Sequence, residues 1–385
     1  MNDLAFLLHT DLSTDVITWR RTLHAMPELR MDTPKTEAYI ASELEKLGVG
    51  DICTGVGGHG VTAFIRGALP GKTLAIRVDC DGLPIHEETG LPFASQNGNM
   101  HACGHDAHTA MALGAAKLLL ENTHRLRGSV KLIFQPFEEG DGGAKAMLAD
   151  GVLDGVDAII GLHNHVTADE DYLPGDILVT EGPSSANIFA YEATFRGPGG
   201  HVCHSRHLPN PVHMACRAVA EIAALPEPGP ETVNAVTVVH GGTRNNILPT
   251  ECTIAGSVRA FDPTLQSTMR HQVLEILQNC GATEVKTTID VMSTAIDPDL
   301  LAAFRRTANT LYPERGWQPL KKRDMIGEDF ARFAAVVPGF YFFLHDRPTG
   351  DCYPLHHPKF DINESVLPKG SQLLAAFALC WQNDR

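Results

Sequence analysis

Eight consecutive positions, His101-Ala102-Cys103-Gly104-His105-Asp106-Ala107-His108, carry a thiol, three imidazoles and a carboxylate. Two glutamates follow at Glu138-Glu139, then His163 after Gly161-Leu162, and His356-His357 ahead of Pro358. Soft thiolate, borderline imidazole and hard carboxylate drawn from separate segments form the donor set that holds divalent transition metals. Taken singly, each reads as a surface histidine, a buried cysteine or a solvated Glu-Glu loop. As a set, each beside a Gly or Pro turn and several directly after apolar runs, they point to a metal-dependent hydrolase. Cys103 and His105 are two apart, which puts both side chains on one side of an extended segment, with Gly104 free to take an unusual conformation. Adjacent glutamates resist joint ionisation. A metal relieves one of them, and its neighbour can then serve as general base on the attacking water.

The segments that must position these residues alternate helix and strand signals. The spacing of Ala38, Ile40, Leu44 and Leu47 predicts a helix over 36–47 ended by Gly48. Residues 72–78 read as a strand running into Asp79-Cys80-Asp81-Gly82, and 108–120 as an Ala- and Leu-rich helix. A second strand at 129–134 stops at Pro136, a helix starts at 143–148, and a short strand at 158–162 leads to His163. Such alternation predicts an α/β sheet with helices on both faces. Ligands of such sheets gather beyond the carboxyl ends of the strands, where Asp81, Glu138, Glu139 and His163 all fall. The pattern changes near Gly182-Pro183. Strands at 188–195, 233–239, 252–258 and 285–291, with helices at 211–224 and 266–278, give the order β-α-β-β-α-β of a ferredoxin-like α+β domain. That places an inserted domain at 184–296 within a catalytic α/β domain built from 1–183 and 297–385. The catalytic domain resumes with a helix at 299–311, a strand at 339–344 and a terminal helix from Lys369.

Length and charge narrow the function classes. A chain of 385 residues suits two domains. A net charge of −15 argues against nucleic acid or an anionic membrane as partner. Nine scattered cysteines without a Cys-x-x-Cys read as reduced thiols. The first residues lack a basic segment followed by an apolar core, and no apolar run approaches the ~20 residues of a membrane span. The expected location is the cytoplasm and the expected partner a small molecule.

The motifs Met100-His101-Ala102-Cys103-Gly104-His105-Asp106, Phe134-Gln135-Pro136-Phe137-Glu138-Glu139-Gly140, Gly161-Leu162-His163 and His356-His357-Pro358-Lys359-Phe360 resemble those of one family. It is the amidohydrolase branch of the aminoacylase/carboxypeptidase G metallopeptidases, which includes hippurate hydrolases and plant auxin-conjugate hydrolases. Arg77 to Pro84, Gly199-Gly200-His201, Asn246-Ile247-Leu248-Pro249 and Gly327-Glu328-Asp329-Phe330 extend the resemblance over nearly the whole chain. The resemblance implies a dinuclear-metallopeptidase-like catalytic domain. It would hold two divalent transition-metal ions (Zn, Mn, Co or Ni) on Cys103, His105, Glu139, His163 and His356. It makes Glu138 the general base and Asp81 the carboxylate that orients a liganding imidazole. His356 is preferred to His357 because the family pattern is His-x-Pro-x-Phe. The inserted domain resembles a lid and dimerisation domain, which implies a homodimer or higher homo-oligomer. In it His201, Asn246 and Arg259 would reach the substrate carboxylate or the developing oxyanion.

Two departures stand out. The family's Pro-His and Asp-Pro after Gly-Gly-His are here Ser205-Arg206 and Asn210-Pro211, and Cys80 replaces a frequent Met. The expected reaction is hydrolysis of the amide bond of an N-acyl amino acid or related small amide by metal-activated water. A dipeptidase is the neighbouring alternative. A non-catalytic metal-binding protein on the same scaffold would need the ligands but neither Glu138 nor Asp81. A redox role for Cys103 lacks a resolving cysteine nearby in sequence.

Overall fold

The computed structural model describes residues 4–140, 142–167, 171–226 and 228–382. Two helices come first, α1 (Ser13–His24) and α2 (Pro34–Leu47). Glu28 caps α2: its Oε2 accepts the N–H groups of Lys35 and Thr36, each at 2.9 Å. The chain continues through β1 (Gly50–Val56), β2 (Gly60–Arg66), β3 (Leu69–Asp79), α3 (His105–Glu121) and β4 (Arg127–Gln135). Then come α4 (Gly143–Ala149), β5 (Ala158–His165) and β6 (Ile177–Val179). A distinct stretch follows with β7 (Asn187–Arg196), β8 (Gly200–His201), α5 (Pro211–Ala223) and β9 (Thr232–Gly241). It is completed by β10 (Ile247–Leu248), β11 (Glu251–Ala260), α6 (Pro263–Asn279) and β12 (Glu284–Val291). The last elements are α7 (Pro298–Leu311), β13 (Gln318–Pro319), α8 (Phe330–Ala334), β14 (Gly339–His345) and α9 (Leu367–Cys380). Helices α5, α6 and α7 start alike. Asn210, Asp262 and Asp297 accept first-turn N–H groups, and each is followed by a proline whose missing N–H costs nothing there.

The chain divides into two compact units: Met1–Ser184 with Thr294–Lys322 and Asp329–Arg385, and Ser185–Ser293 with Arg323–Glu328. The return segment Arg323–Glu328 lies outside the insertion expected at 184–296. It is held to the second unit by Ala186 N–H donating to Ile326 O (2.9 Å) and by Arg259 Nη1 donating to Met325 O (2.7 Å).

In the first unit an eight-stranded sheet runs β1-β2-β4-β3-β5-β14-β6-β13. Its centre, β4-β3-β5-β14, is parallel, whereas β1 and β2 add antiparallel strands at one edge and β6 pairs antiparallel with β14. The sheet is therefore mixed. Its central strands alternate between two cores, as the two-residue period of a strand requires. Leu74, Ile76 and Val78 pack with apolar residues of α1, α2, α3, α7 and α9. Ala75 joins Ile133, Ile159, Tyr341 and Phe343 under α4 and α8. Helices on both faces explain why β5 is buried along its whole length.

In the second unit the antiparallel sheet β12-β7-β11-β9 has one face covered by α5 and α6, through Phe189, Tyr191, Phe195, Ala215, Ile222 and Val273. Connection and strand order are those of a ferredoxin-like α+β fold. β9 is an edge strand, with Val238 and Val239 exposed. Among the described residues no helix is long and apolar enough to cross a membrane.

Candidate metal centre

The expected ligands converge in the first unit, at the carboxyl ends of its parallel strands. β3 ends at Asp79, two residues before Asp81; β4 ends at Gln135, three before Glu138; His163 lies near the end of β5. Helix α3 begins at His105 instead of 108, and Gly104 before it is left-handed (φ +83°). Cys103 and His105 therefore do not share an extended segment. The chain turns at Gly104, and His105 occupies the first turn of a helix. A Cβ at position 104 would lie 2.5 Å from Asn164 Oδ1, so dihedral and space both demand glycine.

Ligand atoms of Cys103, His105 and His163 lie within 4.8 Å of one another, and so do those of Cys103, Glu139 and His356. A third such group is His105, Glu138 and Glu139. His163 and His105 are each held through Nδ1, with Nε2 on the side of the cluster. His163 Nδ1 donates to Asn164 O (2.7 Å), which leaves the lone pair of Nε2 at 3.4 Å from Cys103 Sγ. His105 Nδ1 donates to Asp81 Oδ1 (3.3 Å), and its buried Nε2 has no hydrogen-bond partner among the described residues. His356 Nε2 lies 3.2 Å from Glu139 Oε1, and the His356 N–H donates to Ala102 O (2.8 Å). Asp81 also accepts the N–H groups of Glu138 (3.1 Å, Oδ1) and Glu139 (3.3 Å, Oδ2).

The electrostatics favour a cation. Burial alone would lower the pKa of His105, but Asp79, Asp81 and Glu139 overcome it and raise the value to about 10. Burial, helped by Glu139, Glu138 and Asp79, pushes the Cys103 thiol well above its usual range. Burial also holds His163 far below the ordinary histidine range, so it is neutral. The surrounding carboxylates and burial thus favour the protonated forms of His105 and Cys103 when no cation is present. A divalent ion would take the place of those protons, and a set of one sulfur with nitrogen and oxygen donors suits a transition metal.

Asp79, His108 and Asn164 also belong to this centre, beyond the expected ligand and catalytic residues. His108 Nδ1 donates to Asp79 Oδ1 (2.5 Å), and its Nε2 lies 2.6 Å from Asn164 Oδ1. Asp79 Oδ2 pairs with the buried Arg77 (3.1 Å). The signal available was the His105-x-x-His108 spacing, which puts both rings on one face of a helix, 5.4 Å apart. His201, Asn246 and Arg259, by contrast, lie in the second unit. Pairing of β8 with β10 sets His201 opposite Ile247, next to Asn246, and both His201 and Asn246 are exposed. Arg259 lies on β11, partly buried and bonded to Met325 O.

A profile of peptidase family M20/M25/M40 matches residues 75–379. Thermostable carboxypeptidase 1 of Saccharolobus solfataricus is 36% identical over 384 residues, 96% of this chain and 95% of that protein. N-acetylcysteine deacetylase of Bacillus subtilis is 34% identical over 390 residues, 98% of each chain. Among solved structures, a dinuclear metal-binding peptidase from Bacillus subtilis has a TM-score of 0.78 at 34% identity, covering 96% of this chain and 98% of that one. The fold and these relatives are those of a metal-dependent hydrolase of amide bonds. The chain belongs to peptidase family M20/M25/M40.

Proposed function

We propose that this enzyme cleaves N-acyl amino acids or related small amides, with Cys103, His105, Glu139, His163 and His356 holding two divalent transition-metal ions. The observation that carries the reading is the meeting of two ligand groups at Cys103, with Glu138 alongside. When bound, such ions supply a Lewis acid for the amide carbonyl and acidify water. Glu138 takes the proton of the attacking water and passes it to the departing nitrogen. Asp81 is a positioning residue: it fixes the His105 tautomer and, through the N–H groups of Glu138 and Glu139, the loop that carries them. The buried side of the cluster, formed by Asp79, His108 and Asn164, keeps the ligands in place.

The deacetylase relative supports an N-acyl substrate, and the carboxypeptidase relative supports a second reading, a peptide with a free carboxylate. We place the activity in the cytoplasm, on the strength of nine free cysteines. The exposed valines on edge strand β9 support pairing of the second unit with its twin, a homodimer in which His201 reaches the partner's site to stabilise the oxyanion, with Asn246 and Arg259 acting on the substrate carboxylate. Metal-depleted protein reloaded with zinc, manganese, cobalt or nickel should be screened against N-acyl amino acids and dipeptides. Cleavage of the acyl compounds in preference supports the reading; cleavage of dipeptides alone, or of neither, refutes it.

A further inference from the structure

A cavity of about 510 Å³ opens beside the metal centre within the first unit and shares Asp81 and Glu139 with it. That volume is in the range of small-molecule sites. Its other walls are largely apolar, from Leu29, Leu83, Pro84 and Phe137, with a single cation, Arg30. Arg30 is exposed and forms no ion pair with any described residue. A bland explanation is a solvated arginine in a surface turn.

Backbone geometry argues against that. Arg30 has φ +57°, in the left-handed region where an arginine side chain costs of order 1 kcal/mol. Only four non-glycine residues do so among the described residues. Three of them, Arg30, Phe137 and His356, line this cavity or the adjoining metal centre. The turn that carries Arg30 is fixed on both sides. Asp32 N–H donates to Leu29 O (3.1 Å), and Gly82 N–H donates to Glu28 O (2.7 Å) while Leu29 bridges Gly82 in parallel. The opposite wall is equally set: a Cβ at Gly140 would come 2.0 Å from Phe137 Cε2, so the ring rests directly on that glycine's backbone. These contacts fix both walls, and the left-handed turn sets Arg30 in the lining of the same largely apolar slot as Glu139.

We infer that this slot is the acyl subsite and that it selects acyl groups with an apolar body ending in a carboxylate, which pairs with Arg30. The inference rests on the N-acyl amidohydrolase reading above. The preferred substrates are then monoamides of dicarboxylic acids with the amine of an amino acid. The guanidinium matches a carboxylate in a two-pronged geometry that a lysine would not supply. An uncharged acyl chain of equal length fills the apolar part but leaves the cation unpaired.

The test compares matched N-acyl-L-methionines on the full chain loaded with divalent metal: succinyl against butanoyl, glutaryl against pentanoyl, adipoyl against hexanoyl, suberoyl against octanoyl. The readout is the ratio of kcat/KM within each pair. For at least one length the carboxylated member should be preferred by ~5–10-fold, the effect of a partly exposed charge-assisted pair. Arg30→Ala should bring that ratio close to one and Arg30→Glu should reverse it. A wild-type ratio near one at every length, or a ratio that both variants leave unchanged, overturns the inference while leaving amide hydrolysis intact. If no N-acyl methionine is cleaved, the activity reading fails and calorimetry decides the slot by itself. Adipic monoamide bound more tightly than hexanamide, with the difference lost in Arg30→Ala, upholds the carboxylate site; equal binding overturns it.

Discussion

Replacing Asp81 by asparagine isolates the positioning role, because shape is kept and only charge and one acceptor are lost. The carboxylate accepts three N–H groups: His105 Nδ1 and Glu138 N on Oδ1, and Glu139 N on Oδ2. An amide has one oxygen. Its better orientation keeps His105 and Glu138 bonded and turns its NH₂ against the Glu139 N–H, donor facing donor. A hydrogen bond to a charged group contributes about 1.5–3 kcal/mol, and a buried donor left unpaired costs about 1–3 kcal/mol. A shift of the Glu138–Glu139 loop recovers part of this, so a net loss of ~2 kcal/mol is expected, or ~30-fold in affinity. That falls within the ~10–100-fold known for partners that orient metal ligands. The assay titrates metal-depleted protein in chelator-buffered metal and reads occupancy and hydrolysis together. Asp81→Asn should need more metal for both and regain most turnover at saturation. Wild-type affinity for both ions would refute the reasoning. So would lost turnover at unchanged occupancy, which would put Asp81 in the chemistry itself.

Glu138→Gln should lower turnover by ~100-fold or more with metal content unchanged, whereas Glu139→Gln should lose metal; elemental analysis giving the reverse pattern would exchange their roles. Asp176 accepts from Arg315 Nη2 (2.6 Å) and Leu173 N (2.8 Å). Although burial pushes its pKa up, Arg315 and that N–H hold it below the usual carboxylate range. Its contribution to stability is thus present above the unfolded value of ~3.9 and fades as pH falls through the lower folded value. Asp176→Asn should cost ~1 kcal/mol at neutral pH, a figure reduced for the half-exposed Arg315, and in urea melts the gap should narrow as pH falls below the unfolded value. Mixing Glu138→Gln with His201→Ala chains should restore activity if His201 acts across a dimer. Failure to complement, with heterodimers shown by native mass spectrometry, would confine His201 to its own chain.

The meeting of Asp81, Glu138, Glu139 and His163 was legible because each follows an apolar run that reads as a buried strand, and the carboxyl ends of such strands share one edge, whereas Cys103, His105 and His356 follow loops and were marked by residue type and by the family resemblance. The near-continuous apolar runs at 74–78 and 340–344 likewise mark strands covered on both faces. Other features depend on contacts distant in sequence. β1, Gly50–Val56, has exposed residues along most of its length and no alternation, so only pairing with β2 makes it a strand. β6 and β13 are two or three residues long and owe their order to neighbours. His108, inside an Ala- and Leu-rich helix, reads as core until Asp79 and Asn164 are seen to bracket it. The start of α3 at His105 was missed because Gly104 looks like a break, although its left-handed turn is what launches the helix. Nothing local in Arg323–Glu328 assigns it to the second unit; its backbone bonds to Ala186 and Arg259 do.

The most direct test of the claim that amide cleavage depends on two ions meeting at Cys103 is a titration of rigorously metal-depleted protein. Bound metal and N-acetyl amino acid hydrolysis should be followed on the same sample. Turnover should be absent without metal and complete at two equivalents per chain. In Cys103→Ser both equivalents should bind more weakly, because Sγ is common to the two ligand groups and a hydroxyl is a poor substitute for a thiolate. Full turnover by metal-free protein, or a Cys103→Ser chain that holds both ions as tightly as wild type, would contradict it.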